Sequence, residues 1–352
     1  MKLKTRIACA LLAGGMAVSM SACSKNYEWV AKTEEYQMGP GVYMGLLLNS
    51  YMTALDQTQD KDTPILKQTI EDKNASDWIA ENAQELVREY FAIEHQFDEM
   101  GLILNSDEQT SIESTASTYW EYQSSLYEDN GMSQESLKSM LTNSYKQQMI
   151  FQKLYDTDGL EEVPESELQE EFKNNYLKTT FYPLALTDSS GNAVSDEDKA
   201  AIKERLNTIL TKAQQGEDFY DLILADEKEA AGEGTVHEHT GTEHDSIFSK
   251  SDADYLPENF YNSLKAIGIG EYGVFEVEGY MVVAYRGELP TEGDEYTQYR
   301  STLLSSVRSE DFYNKLQEWA KDIQVTYADG ALKTFTPKKV KYEPATSSSS
   351  NS

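Results

Sequence analysis

The chain has 352 residues, 39% of them hydrophobic, and a formal net charge of −31 from 61 acidic and 30 basic side chains. Negative charge in this excess repels phosphate backbones and anionic lipid surfaces, which argues against nucleic-acid binding and against electrostatic attachment to a membrane. The length suffices for two domains that each bury a core, and 23 tyrosines against 11 phenylalanines and 4 tryptophans suit either a half-wet binding surface or an exposed exterior.

The first residues read as an export signal. Lys2, Lys4 and Arg6 precede an apolar run over 7–18, and Met20-Ser21-Ala22-Cys23 follows. A basic head, an apolar core of about a dozen residues and small residues before the break are the parts of a secretory signal. The run is too short for a permanent membrane-spanning helix. The small-small-Cys ending resembles the lipobox of bacterial lipoproteins. That resemblance implies removal of residues 1–22, acylation of Cys23, and tethering at the extracytoplasmic face of a bacterial cell membrane. Cys9 lies inside the signal, so Cys23 is the one thiol of the mature chain. It permits neither an intramolecular disulfide nor a cysteine metal cluster.

Residues 23–39 are expected to form a tether, and 38–55 a helix dense in Met, Tyr and Leu. A polar break over 57–63 ends at Pro64. Residues 76–160 form a helical array. Ser76 is the expected cap of a helix with Ile79, Ala83, Leu86, Tyr90, Ile93, Phe97 and Met100 on one stripe, ended by Gly101. Ser106-Asp107-Glu108-Gln109 reads as a capping box for a helix carrying Ile112, Tyr119, Trp120 and Leu126. Asn130-Gly131 stops it, and Ser133 caps a third helix with Leu137, Leu141, Tyr145, Met149 and Leu154. Pro164 marks the start of an acidic amphipathic segment that reaches Tyr176.

After Lys178 the hydrophobic period changes from 3.6 to two. Residues 180–186 (TFYPLAL) are strand-like, Ser189-Ser190-Gly191 is a turn, and Ser195 caps a helix with Ile202, Leu206, Ile209, Leu210 and Ala213 on its inner face. Gly216-Glu217-Asp218-Phe219 and Leu222 follow. A strand-like start at Ile247 leads to Leu256-Pro257-Glu258-Asn259-Phe260, read as a short helix with Pro in its first turn. Gly268 and Gly270 interrupt the chain before two β-rich runs, 272–277 and 280–285. Beyond Pro290 and Gly293 comes a last long helix with Tyr299, Leu303, Val307, Phe312, Leu316 and Trp319 on its apolar side. Short strands are expected over 325–327 and 332–335, and residues 339–352 form a Ser-rich tail.

Two stretches resemble known families. Gly216, Asp218 and Phe219 behind a strand and a long helix, then Pro257, Glu258, Phe260, Leu264, Gly270, Glu271, Gly279 and Tyr280, follow the order of a parvulin-type prolyl isomerase domain over 178–289. The helix ending in Glu99-Met100-Gly101, the Ser-Asp-Glu start and the Asn-Gly turn resemble the N-terminal chaperone region of the SurA and PrsA foldases. The resemblance implies an α+β protein. A mostly helical chaperone domain would be built from 40–177 and 291–338, with a parvulin-like domain at 178–290, a small antiparallel sheet flanked by helices, inserted into it. The implied function is a membrane-anchored chaperone or foldase for unfolded or newly exported polypeptides, with no cofactor. A homodimer is compatible with it.

The family carries one histidine on its first strand and another after Gly-Tyr on its last. Here Tyr182, Pro183 and Leu184 occupy the first position and Met281 the second, so both histidines are missing, and the Gly-Gly-x-x-Gly segment is unrecognisable between 229 and 246. The resemblance leaves Tyr182, Phe219, Phe260, Leu264, Tyr280 and Met281 as the substrate pocket. An apolar wall without its polar network fits binding better than turnover. No catalytic residue is assigned, and an active prolyl isomerase is the alternative reading. A third reading is a metal-binding lipoprotein. His237, Glu238, His239, His244 and Asp245 bring imidazoles and carboxylates together, although no cysteine and no fixed third ligand accompany them. His95 falls off its helix's apolar stripe and is expected to be exposed. No nucleophile elbow, phosphate-binding loop or dinucleotide fingerprint is present.

Replacing Cys23 by Ala is expected to release the protein from the membrane fraction or to leave the precursor uncleaved. Fractionation and gel migration identical to the unmodified sequence would rule out acylation at this residue.

Overall fold

The computed structural model describes residues 27–60, 62–231 and 243–342. Cys23, His237, His239 and the tail from 343 lie outside the described residues. Helices predominate and every sheet is antiparallel, so the class is α+β. The chain divides into two compact units, one formed by the residues up to Ile150 together with those from Lys315 onward, the other by Phe151–Asn314. Among the described residues no helix is long and apolar enough to cross a membrane.

In the first unit β1 (Ala31–Lys32) and β2 (Gln37–Met38) pair as a short hairpin before α1 (Pro40–Gln57). Pro40 stands at the first helical position, where its fixed φ helps and its missing N–H costs nothing. Nearly every face of α1 is buried, with Tyr43 and Leu47 in the core. Gly41 and Gly45 let another helix approach, since a Cβ on either would collide with the side chain of Ser136 or Met140. A second hairpin, β3 (Thr69–Ile70) and β4 (Lys73–Asn74), leads into α2 (Ala75–Glu99). The cap of α2 is Asn74, whose side chain accepts from the Ser76 N–H at 3.0 Å, and not Ser76 itself. The next cap also lies earlier than the sequence suggests, by one residue instead of two. Asn105 and Glu108 make the reciprocal capping box of α3 (Ser106–Asp129), because the Asn105 carboxamide reaches both the Asp107 and Glu108 N–H groups. Ser133 starts α4 (Gln134–Tyr155) as expected, accepting from the Ser136 N–H.

The second unit opens with α5 (Glu165–Asn175), which runs directly into β5 (Tyr176–Ala185). Then come α6 (Asp196–Gln214), capped by Ser195, α7 (Phe219–Ala231), β6 (Asp245–Ser249), α8 (Phe260–Ala266), β7 (Tyr272–Val277), β8 (Tyr280–Gly287) and α9 (Gly293–Asp322). The four strands stand in the order β6-β5-β8-β7. Pro183 lies where β5 has outrun β6, so its missing N–H leaves no ladder partner unmet. Pro257 was expected in the first turn of α8. It lies instead in a turn before it, where its carbonyl accepts the Phe260 N–H at 2.9 Å and Asn259 adopts φ 66°. The division between units differs from the boundaries drawn at 177 and 291. Phe172 of α5 packs on Tyr176, Tyr296 and Tyr299, which joins α5 and the start of α9 to the sheet.

The last turns of α9 return the chain to the first unit, where β9 (Thr326–Tyr327) pairs with β1. The strand expected over 332–335 is a helical turn, α10 (Ala331–Thr334). Gly330, at φ 77°, turns the chain, and its carbonyl accepts the N–H groups of Lys333 and Thr334 while Ala331 is fully buried. Asn130 fixes the end of this return. Its amide nitrogen donates to the carbonyls of Leu126 and Lys341, each at 2.8 Å, and its oxygen accepts the Lys341 N–H at 2.8 Å. Asn130→Ala strips three hydrogen bonds from a side chain that is 3% exposed, and is expected to cost about 2 kcal/mol in a urea titration. A loss below about 0.5 kcal/mol would show that water replaces the side chain there.

Candidate functional site

Alternation along β5 sends Phe181 and Tyr182 to opposite faces of the four-stranded sheet. The face under α8 is apolar. Phe260 begins α8, and its ring meets Phe181 at 5.4 Å, Phe248 at 5.7 Å and Phe275 at 5.8 Å between centroids, all three steeply inclined. Phe181 and Phe248 also touch, at 5.8 Å. This edge-to-face arrangement is the favoured one for aromatic pairs. Phe260 and Leu264 are buried, backed by Leu177, Val282 and Ala284, while Phe181, Phe248 and Phe275 are only partly covered. The result is an aromatic basin whose outer rings stay partly exposed, offering apolar contact area worth about 0.8 kcal/mol per methylene buried against it.

The face under α6 and α7 is different. Leu206, Ile209, Ala213, Phe219, Leu222 and Ile223 cover Tyr182, Met281 and Val283. At its margin lies a polar network. Asp226 takes the Arg205 guanidinium side-on, with Nε to Oδ1 at 2.5 Å and Nη2 to Oδ2 at 2.6 Å, and its charge lies close enough to act on the Tyr182 phenol. Burial first, and then the Asp226 charge, push the Tyr182 phenol well above its usual range, so it remains a proton donor. The His244 ring lies between Tyr182, at 5.8 Å, and Tyr220, at 5.7 Å, with Nε2 3.6 Å from Glu227 Oε1. The His244 carbonyl accepts the Phe181 N–H at 3.0 Å, and Tyr220 donates to Glu243 at 2.8 Å.

The six residues read as one pocket therefore do not converge. Tyr182, Phe219 and Met281 share the helix-covered face, with Tyr182 7% and Met281 3% exposed. Phe260 and Leu264 are on the basin side. Tyr280 opens β8 with 41% of its surface exposed. Of the proposed metal ligands only His244 is described, and among the described residues no group of three His, Cys, Asp or Glu stands together. His95 is half exposed beside Glu99, at 3.7 Å. Sequence reasoning missed Phe181, Phe248 and Phe275, and the Arg205–Asp226 pair. Counting alternate residues from Tyr182 along its strand would have placed Phe181 opposite it. Nothing in the spacing of Arg205 and Asp226, on two different helices, signals that they meet.

No family model and no curated protein sequence matches the chain. Solved structures do. Foldase protein PrsA from Streptococcus pneumoniae is 16% identical with a TM-score of 0.40, the match covering 76% of this chain and 95% of that one. PrsA from Lactococcus lactis is 13% identical at a TM-score of 0.39, covering 88% and 100%. PrsA from Bacillus subtilis is 15% identical at a TM-score of 0.26, covering 92% and 96%. The chain is thus similar, at low identity and modest TM-score, to PrsA foldase structures from several bacteria.

Asp226→Asn weakens the grip on Arg205 and is expected to lower stability by about 2 kcal/mol at neutral pH. Because the folded state holds the buried Tyr182 proton more tightly than the unfolded chain, the stability linked to that proton is complete below about pH 10 and is lost as pH rises through the raised folded value. Unfolding free energy should therefore decline above that pH, and less steeply in Tyr182→Phe. Parallel pH profiles for the two proteins would show that Tyr182 plays no part in the decline.

Proposed function

We propose that the chain is a foldase-type chaperone, anchored through Cys23 at the extracytoplasmic membrane face, that binds unfolded exported polypeptides, and that its parvulin-like sheet holds prolyl segments without turning them over. The observation that carries this reading is the aromatic basin around Phe260, partly exposed at its outer rings and separated by the thickness of the sheet from Tyr182 and its polar partners. Rotation about a prolyl peptide bond faces a barrier of about 20 kcal/mol. A catalyst must bind the twisted amide better than either planar form. Rings in van der Waals contact hold all three forms almost equally, and uniform binding does not raise turnover. Of the groups able to polarise an amide, Tyr182 is buried beneath α6 and α7 and Asp226 is taken by the Arg205 guanidinium.

The test compares the full mature chain with Phe248→Ser and Phe275→Ser, two partly exposed positions whose change spares the buried Phe260. Aggregation of a reduced, unfolded model protein should be suppressed by the unmodified chain and several-fold less by each variant. A proline-limited refolding reaction should run at its uncatalysed rate in the presence of all three. Acceleration within about tenfold of an active parvulin, a barrier difference of about 1.4 kcal/mol, would favour the isomerase alternative. Suppression unchanged in both variants would remove the basin from client binding.

A further inference from the structure

The outer edge of β6 carries a second binding feature. In an antiparallel pair, residues alternate between those that exchange backbone hydrogen bonds with the neighbour and those that point away. The Phe181 N–H donates to the His244 carbonyl, and the register continues through Thr179 opposite Ser246 and Leu177 opposite Phe248. Asp245, Ile247 and Ser249 therefore turn their backbone groups away from β5. Ser249 is closed off, since its N–H donates to the Asp252 carboxylate at 2.6 Å. Ile247 presents both N–H and C=O to the outside of the sheet, flanked by Asp245.

A cleft of about 310 Å³ runs along this edge, lined by Asp245, Ser246, Ile247 and Phe248 on one side and by Glu295, Gln298 and Tyr299 of α9 on the other. Lys178 also lines it, and its ammonium is held by both oxygens of Glu295 at 2.8 Å, so the cleft presents a paired cation, not a free charge. Unpaired strand edges are templates for another strand. Here the adjoining space admits alternate side chains of an added one, and with Lys178 and Glu295 cancelling each other the Asp245 carboxylate disfavours an acidic segment.

We propose that the β6 edge captures an extended, uncharged segment of a client polypeptide as an added antiparallel or parallel strand, anchored by two backbone hydrogen bonds at Ile247, with side chains entering the cleft against Gln298 and Tyr299. The choice of a client as occupant rests on the chaperone reading. The mode differs from that of the basin, because the edge recognises backbone and the basin recognises apolar side chains. The cleft singles out β6 over β7, the strand at the other rim of the sheet.

The experiment uses the full mature chain and a fluorescein-labelled peptide of alternating Thr and Val, beside a copy N-methylated at every second residue on the pairing edge. The methylated copy is expected to bind about tenfold more weakly. Ile247→Pro, which removes the outward N–H at a position where β5 requires none, should weaken the unmethylated peptide by about tenfold. Ile247→Ala keeps the N–H and should change it far less. Hydrogen exchange at the Ile247 amide should slow when peptide is added, a readout that survives if the proline variant fails to fold. Equal affinity for the two peptides, or an Ile247 amide unaffected by them, overturns the proposal. Self-association abolished by Ile247→Pro, with peptide binding unchanged, assigns the edge to a second copy and also overturns it. A chain that discriminates the peptides but suppresses no aggregation keeps the edge and loses the chaperone reading. One that suppresses aggregation yet ignores methylation loses the edge alone.

Discussion

The strict alternation of β5 is the constraint on which the second unit depends. One strand, paired on both sides, sends Leu177 and Phe181 to the face under α8 and Tyr182 and Leu184 to the face under α6 and α7. A slip of one residue would exchange the two sets and carry Tyr182 away from Asp226 and in among phenylalanines. The register is held by eight paired positions with β8 and by the inability of either face to accept the other's side chains. The proposed function rests on the same separation, since the aromatic cluster and the polar network are on opposite sides of one sheet.

Charge shapes both units. With twice as many acids as bases, most carboxylates stay in solvent, and the cations that are partly buried collect several of them. Arg308 takes both oxygens of Glu167, at 2.8 and 3.0 Å, and Arg300 contacts Asp156 and Glu165. In the first unit Lys146 meets Glu94 with both side chains largely buried. Pairs of this kind hold packed helices in one arrangement, and removing a single partner costs more than the pair contributes. Exposed ion pairs such as Lys73 with Glu81 add little.

Much of this was legible in the sequence. Helix punctuation is local chemistry, so Gly101, Asn130-Gly131, Ser133 and Ser195 marked ends that the structure keeps. The errors there are of one or two residues, where Asn74 and Asn105 outcompete the neighbouring serines for the same N–H groups. The turn at Ala331–Thr334 was misread because its apolar spacing suits a short strand, and only the burial of Ala331 in a core built from both chain ends decides otherwise. The candidate site was legible only in part. Phe260 and Tyr182 were found, but they were grouped by a resemblance in sequence order, and strand parity places them apart. The close passage of Gly41 and Gly45 past Ser136 and Met140, like the Arg205–Asp226 pair, belongs to tertiary packing that no local pattern encodes.

The separation of grip from chemistry is tested most directly by nuclear magnetic resonance on the full chain titrated with a proline-containing peptide, reading side-chain shifts and cis–trans exchange in one sample. The account predicts shifts centred on Phe181, Phe248 and Phe275, little change at Tyr182 and His244, and an exchange rate equal to that of the free peptide. Shifts centred on Tyr182 and His244, accompanied by faster exchange, would contradict it.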